Sequence, residues 1–428
     1  MLQSYIERYR QDLTTSVIPF WLKHSLDREY GGYFTCLDRD GSVYDTRKYV
    51  WLQGRAVWMF SRLYNTWERK QEYLDAAALG VGFIRRYARD PQGRLYFSLT
   101  REGQPYFYQR KPYAGVFYML GLLEYSRATG DQSCLAEAVE VFWRIVEWIQ
   151  DPRLLDRPAF AGQPATSGLA NVMVLASMAI ELAQEERTPV AQDPRYLQVM
   201  QEAIRGVQRH YLPQRRILVE NVLLEPAELR GIPAELRGIP AASGCIPAAS
   251  GGMPRAPQES AFAAWPEARL FNPGHSIEVV WFLLHMLEFF PDAAVQRLAL
   301  NALEGSLEFG WDKEYGGLYA FMDLEGKPTL QLESSMKLWW PHTEAIYALV
   351  LAYTLTREER WLTWLSKVHD YAYAHFADPQ YGEWFGYCDR RGVPTHGCKG
   401  GNYKGFFHVP RALLFSIQRW EGAGGGNP

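Results

Sequence analysis

Four segments of this 428-residue chain share one plan: "YGGYFTCLDRDG" (30–41), "QGRLYFSLTREG" (92–103), "YGGLYAFMDLEG" (315–326) and "YGEWFGYCDRRG" (381–392). Aligned on Gly31, Gly93, Gly316 and Gly382, each copy has an aromatic three positions on (Phe34, Tyr96, Tyr319, Phe385) and a second glycine ten positions on (Gly41, Gly103, Gly326, Gly392). Three copies carry Asp three residues before that second glycine: Asp38, Asp323 and Asp389. Asp-x-x-Gly is turn chemistry, because Asp bonds the backbone ahead and Gly accepts positive φ. The aromatic and β-branched residues before it suit a short strand. Each copy therefore reads as a strand entering a turn.

A fixed repeat period constrains a fold more than any single motif. Gly31 to Gly93 is 62 residues and Gly316 to Gly382 is 66. Steps of similar length from Gly93 reach "LLDRPAFAGQP" (154–164), a degenerate copy, and "RRILVENVLL" (215–224), a strand-like run. The interval from there to Gly316 has a surplus of about 30 residues, and residues 226–253 account for it with four tandem heptads, PAELRGI, PAELRGI, PAASGCI and PAASGGM. A proline every seven positions excludes a packed helix or coiled coil, so the stretch reads as a surface insertion. Without it the chain holds six units.

Each unit has room for two helices. One is apolar nearly all round: "YVWLQGRAVWMFSRLY" (49–64), "YAGVFYMLGLLEYS" (113–126), "GLANVMVLASMAIELA" (168–183), "HSIEVVWFLLHMLEFF" (275–290), "HTEAIYALVLAYTL" (342–355) and "GFFHVPRALLFSIQRW" (405–420). Helices of that kind are buried. The alternating segments, such as "EYLDAAALGVGFIRRYA" (72–88), are amphipathic. Six buried and six half-buried helices predict an all-α fold, an (α/α)6 barrel over residues 1–421 with a tail at 422–428. The short hairpins sit at one rim, each joining an outer helix to the next inner one.

Ionisable residues recur where the buried helices begin. Arg55 follows Gly31 by 24 residues, Glu344 follows Gly316 by 28, and His408 follows Gly382 by 26; His275 has a similar offset in the fourth unit once the insertion is removed. Buried ionisable groups are expensive unless paired or functional. His275 with Glu278 and His408 with Arg411 are i,i+3 pairs that share a helix face. Trp340 and Glu344 lead into one helix, and Trp51, Gln53 and Arg55 alternate along another entering segment. His24, His210, His285, His369, His375 and His396 read as structural. A histidine with an unperturbed pKa of roughly 6.5 both takes and gives protons near neutrality. Two of them on opposite faces of a carbon beside a carbonyl suit epimerisation, with Arg55 stabilising the oxyanion that develops. The rivals are an aldose–ketose isomerase, which needs one histidine, and an inverting glycosidase built on Glu278 and Glu344.

A formal net charge of −3 gives no electrostatic case for nucleic acid or an anionic membrane. The five cysteines are scattered, odd in number and form no CxxC pair, which argues against a disulfide framework or zinc site and suits a reducing, cytoplasmic setting. No metal-ligand spacing is visible.

At "YVWLQGRAVW", "NPGHSIEVVWFL", "KLWWPHTEAIYAL" and "GNYKGFFHVPRALL" the chain resembles the N-acylglucosamine 2-epimerase family, over nearly its whole length. The resemblance implies an (α/α)6 barrel that interconverts N-acetyl-D-glucosamine and N-acetyl-D-mannosamine. It implies His275 and His408 as the acid/base pair, with Arg55, Glu278, Glu344, Arg411 and Trp340 around the sugar. More distant relatives acting on unsubstituted sugars carry an extra histidine where this chain has Asn171, which favours the N-acyl branch. The resemblance also implies a homodimer and an unconsumed nucleotide activator such as ATP. "HGCKGGNYKG" (396–405), with Lys399 and Lys404, is the stretch that could contact its phosphates, although it is no P-loop.

Overall fold

The structure is a computed structural model and describes residues 1–158, 160–185, 193–224 and 265–424. The heptads at 226–253 lie outside the described residues, as does most of the expected tail. The described helices, in chain order, are α1 (Leu2–Asp12), which passes through a wider turn at Leu13–Val17 into α2 (Ile18–His24), then α3 (Val50–Thr66), α4 (Gln71–Tyr87), α5 (Tyr113–Thr129) and α6 (Gln132–Gln150). They continue as α7 (Leu169–Ala183), α8 (Pro194–His210), α9 (Pro273–Met286), α10 (Ala293–Gly310), α11 (Trp339–Thr356), α12 (Glu359–His375) and α13 (His408–Gly422). The six apolar runs singled out in the sequence become α3, α5, α7, α9, α11 and α13.

The chain divides into two compact units, Met1–Ile145 with Leu338–Pro428, and Val146–Lys337. In the first, α3 packs on α5 and α4, and α11 on α12 and α13. Strand β1 (Cys36–Leu37) pairs with β2 (Val43–Asp45), while β3 (Lys48–Tyr49) and β5 (Pro105–Phe107) flank β4 (Ser98–Leu99), all antiparallel. In the second, α7 packs on α8 and α9, and α9 on α10. There β6 (Thr166–Gly168) pairs with β9 (Asn221–Leu223), and β7 (Tyr211–Leu212) with β8 (Ile217–Leu218). Strand β10 (Leu270–Phe271) pairs with β11 (Met322–Asp323).

All eight repeat glycines adopt φ between +71° and +95°, the left-handed region that side chains disfavour. The second glycine of each copy closes its turn: Gly41 N–H donates to the Asp38 carbonyl at 3.0 Å, and Gly326 and Gly392 donate to Asp323 and Asp389 at the same distance.

The first glycine and its aromatic have a role the sequence pattern did not disclose. Gly31, Gly316 and Gly382 donate to the carbonyls of Asp27, Asp312 and Asp378, at 2.9, 2.9 and 3.0 Å. Each of these aspartates, just past an outer helix, pairs with a fully buried lysine: Asp27 with Lys48 at 2.8 Å, Asp312 with Lys337 at 3.1 Å, Asp378 with Lys399 at 2.8 Å. Each ammonium also donates to a backbone carbonyl of the same hairpin, Gly31, Gly317 or Glu383. The recurrent aromatic supplies the remaining surface. Lys48 lies 5.8 Å from the Phe34 ring centre, Lys337 3.8 Å from Tyr319, and Lys399 3.9 Å from Phe385.

Among the described residues, no helix is long and apolar enough to cross a membrane. The four described cysteines, Cys36, Cys134, Cys388 and Cys398, form no disulfide.

Removing one partner of a buried ion pair strands the other charge. Asp312→Ala is expected to cost about 3–5 kcal/mol, whereas the double change Asp312→Leu with Lys337→Met costs much less. Urea unfolding of the two variants checks this, and equal losses would contradict it.

Candidate active site

In the unit formed by Met1–Ile145 and Leu338–Pro428, the site residues begin inner helices. Leu338 leads directly into α11, which carries Trp340 and Glu344 in its first two turns. His408 opens α13, with Arg411 one turn on and Pro410 between them, where its fixed φ suits a first turn. His408 Nδ1 lies 2.7 Å from Glu344 Oε1, and Arg411 Nη2 donates to the same oxygen at 2.8 Å. Arg411 Nη2 is 3.4 Å from His408 Nδ1. All three side chains are buried. The half-buried Trp340 ring sits 5.8 Å from that of His408.

Arg55 lies inside α3, not on an extended entering segment. Helical spacing puts it on the face of Trp51, four residues back, and its guanidinium carbon lies 4.5 Å from the Trp51 ring centre. It also packs 4.0 Å from Phe117 and 4.9 Å from Phe407. Gln53 turns elsewhere. Its amide bonds both the N–H and the carbonyl of Tyr33, at 2.7 and 2.8 Å, fastening the first hairpin to α3. Phe407 was not singled out from the sequence, yet its ring contacts Arg55, Arg411 at 4.4 Å and the His408 ring at 5.3 Å. Its place directly before His408 was the available signal.

Lys399 and Lys404 do not present free charge to a phosphate. Lys399 bonds Asp378 and the Glu383 carbonyl, and Lys404 bonds the Glu383 carboxylate at 2.8 Å and the Lys399 carbonyl. Neither side chain is more than 1% exposed. Burial pulls the Lys399 ammonium down to about 8, with Asp378 opposing the fall. Within the glycine-and-lysine segment the two lysines are buried, while His396, Asn402 and Tyr403 are exposed.

In the Val146–Lys337 unit, Asn272 caps α9 by accepting from the His275 N–H at 3.0 Å, and Pro273 occupies the first helical position. His275 Nδ1 lies 2.9 Å from Glu220 Oε1. Glu278 is buried one turn along α9. Asn171 is half-buried in the first turn of α7. Burial works to lower the His275 pKa, but Glu220, by charge and hydrogen bond, and Glu278 more weakly outweigh it, so the pKa is raised above its ordinary value. Glu220 is the partner that the sequence analysis did not single out; it stands in "RRILVENVLL", whose strand pattern hides a lone carboxylate.

His210, at the end of α8, is fully buried. Its Nδ1 lies 2.7 Å from the Val219 carbonyl and its Nε2 3.0 Å from Ser167 Oγ. Desolvation brings it down to about 4.

The local geometry thus defines a class: all-α enzymes whose inner helices open with imidazole–carboxylate pairs and a stacked guanidinium. The fold of the chain matches that of a cellobiose 2-epimerase from Bacillus thermoamylovorans at TM-score 0.76 and 21% identity, covering 97% of this chain and 100% of that one. It matches a D-mannose isomerase at TM-score 0.73 and 16% identity, covering 97% of each. The fold is the (α/α)6 barrel. A family model for N-acylglucosamine 2-epimerase (GlcNAc 2-epimerase) matches residues 32–154 and 258–412. The N-acylglucosamine 2-epimerases of Mus musculus and Homo sapiens are each 37% identical to this chain, covering 97% and 96% of it and 92% and 89% of their own lengths. The chain belongs to the N-acylglucosamine 2-epimerase family and is an enzyme of the epimerase class.

His210 gives a pH prediction. Between about pH 6.5 and about pH 4 the unfolded imidazole binds a proton that the folded one excludes, so stability falls as pH drops through that window. His369, also held at about 4 by burial, adds to the same slope. Denaturant unfolding across pH 4–7 should show His210→Asn to be less acid-sensitive than the parent, and an unchanged slope would contradict this.

Proposed function

We propose that the chain interconverts N-acetyl-D-glucosamine and N-acetyl-D-mannosamine through the open-chain sugar. The observation that carries the reading is that two histidines opening inner helices each have Nδ1 on a buried carboxylate, Glu220 for His275 and Glu344 for His408. A carboxylate accepts, so a neutral ring carries its proton on Nδ1 and its lone pair on Nε2. Nε2 is then the working atom on both rings.

In the proposed reaction one neutral imidazole takes the C2 proton. The C2–H electron pair moves into a C1–C2 double bond, and the carbonyl oxygen at C1 becomes an oxyanion. Arg55 stabilises that charge, a contribution realised mainly in the transition state. The opposite imidazolium then returns a proton to the other face of C2 as the C1 carbonyl reforms, so atoms and charge balance. Glu278, Arg411, Trp340 and Asn171 bind and orient the sugar in this scheme. The proposal keeps ATP as an unconsumed activator but assigns it no residue, since Lys399 and Lys404 are engaged in ion pairs. It takes the working form as a cytoplasmic homodimer, on family resemblance and, for the compartment, on the scattered cysteines.

The N-acyl substrate is favoured because relatives 37% identical over nearly the whole chain carry that name, while cellobiose 2-epimerases match only about a third of it at 30–35% identity. The test is an assay with N-acetylmannosamine, with and without ATP, run in D2O. The product should carry one deuterium at C2, and His275→Asn and His408→Asn should each lower kcat by about 10²–10⁴. A ketose product, or full turnover by both variants, would sink the proposal.

A further inference from the structure

We propose that Glu220 is a positioning residue for His275, fixing the proton on Nδ1 and holding the ring at the start of α9. The inference rests on the epimerase reading above and deepens it, since Glu220 lies outside the residues that the family resemblance implies.

The backbone around Glu220 is immobilised from three sides. Its N–H donates to the Leu270 carbonyl at 2.9 Å, two residues before the Asn272 cap of α9. Its carbonyl accepts from the Leu169 N–H at 2.8 Å, at the first residue of α7. The preceding residue, Val219, exchanges bonds with His210 at the end of α8: its N–H donates to the His210 carbonyl at 3.0 Å, and its carbonyl accepts from the His210 ring. Ile217, Val219, Val222 and Phe271 pack in one apolar cluster beneath this crossing. A side chain projecting from so rigid a point has little freedom, and it meets the His275 ring at 2.9 Å.

A carboxylate buried to this degree, 9% exposed, needs a partner. Among the described residues its side chain makes one hydrogen bond, to His275. A purely structural carboxylate of this fold looks different. Glu124 on α5, for instance, is held by Arg62, Arg127 and Asn65 together. The carboxylates that raise the His275 pKa include Glu220, from the loop between β8 and β9, and Glu278 on its own helix. His210, at the end of α8, in turn feels Glu220. The raised pKa of His275 agrees with the geometry: burial alone would lower it.

The experiment uses the full chain, ligand-free, with 15N-labelled histidine. Long-range 1H–15N spectra report the protonated ring nitrogen, and His275→Asn assigns the signal. The parent should show His275 as the Nδ1–H tautomer when neutral. Glu220→Gln keeps the shape but removes the charge, and it should lower the His275 titration midpoint by about one to three units. The acidic limb of kcat/KM should move the same way, and kcat should fall more than tenfold while KM changes little. Glu220→Asp, which keeps the charge, should restore part of both and serves if the Gln variant folds poorly. An unchanged tautomer and midpoint in Glu220→Gln would overturn the inference. So would an activity loss matched by lost thermal stability with no shift in pH profile. Absence of turnover by the parent, with the NMR response intact, would overturn the epimerase reading while supporting the positioning role.

Discussion

A lysine ammonium removed from water is tolerable only where its donors find acceptors, and this chain repeats one solution. Lys48, Lys337 and Lys399 are each enclosed by an aspartate, a backbone carbonyl and an aromatic ring. Asp27 shows how firmly the charges are held. Burial pushes its pKa up, yet hydrogen bonds from Arg101 and Lys48 bring it down to about 2. Such pairs add little net stability, because desolvation offsets the attraction. Their consequence is positional. A hairpin shifted by one residue would leave an ammonium and a carboxylate buried apart, so the register is enforced by the penalty for every alternative.

That enforcement bears on the candidate site, because the latches stand where inner helices begin. Lys48 precedes α3 by two residues and so fixes Trp51 and Arg55. Lys399 and Lys404 hold the segment that runs into Phe407 and His408. Among the described residues no such lysine stands at the start of α9. The Asn272 cap and the backbone bonds of Glu220 take its place, and Glu220 adds a side chain that reaches the imidazole.

The parts of this architecture that could be read from the sequence follow from periodicity and from glycine. The ten-residue glycine interval and the apolar runs are local patterns, and they led to the six inner helices within a few residues. The latches were written in the sequence too, since Asp27 and Lys48, and Asp378 and Lys399, are both 21 residues apart. They are not legible there because a lysine and an aspartate at that distance mean nothing until a hairpin brings them together. Lys399 and Lys404 show a related limit: glycine and lysine together look the same in a stretch that could contact phosphate and in one whose lysines are buried in ion pairs. Gln53 and Glu220 show the other limit. Their partners, Tyr33 and His275, are set by which way a side chain leaves its element, 20 and 55 residues from the atom it meets.

The two imidazole–carboxylate pairs are alike in distance and unlike in charge. Glu344 divides one oxygen between His408 and the Arg411 guanidinium, so its negative charge is largely matched before the imidazole is counted. Glu220 turns its oxygen to His275, and Glu278 adds a second negative field there. Arg411 Nη2 stands 3.4 Å from the His408 Nδ1, whereas the charges that raise the His275 pKa are carboxylates. A two-base epimerisation requires that one imidazole arrive with a proton and the other without, and a symmetric pair would spend part of its time doubly charged or doubly neutral. In the proposed mechanism the carboxylate on each Nδ1 leaves Nε2 as the nitrogen that exchanges the proton on both rings, before any sugar binds.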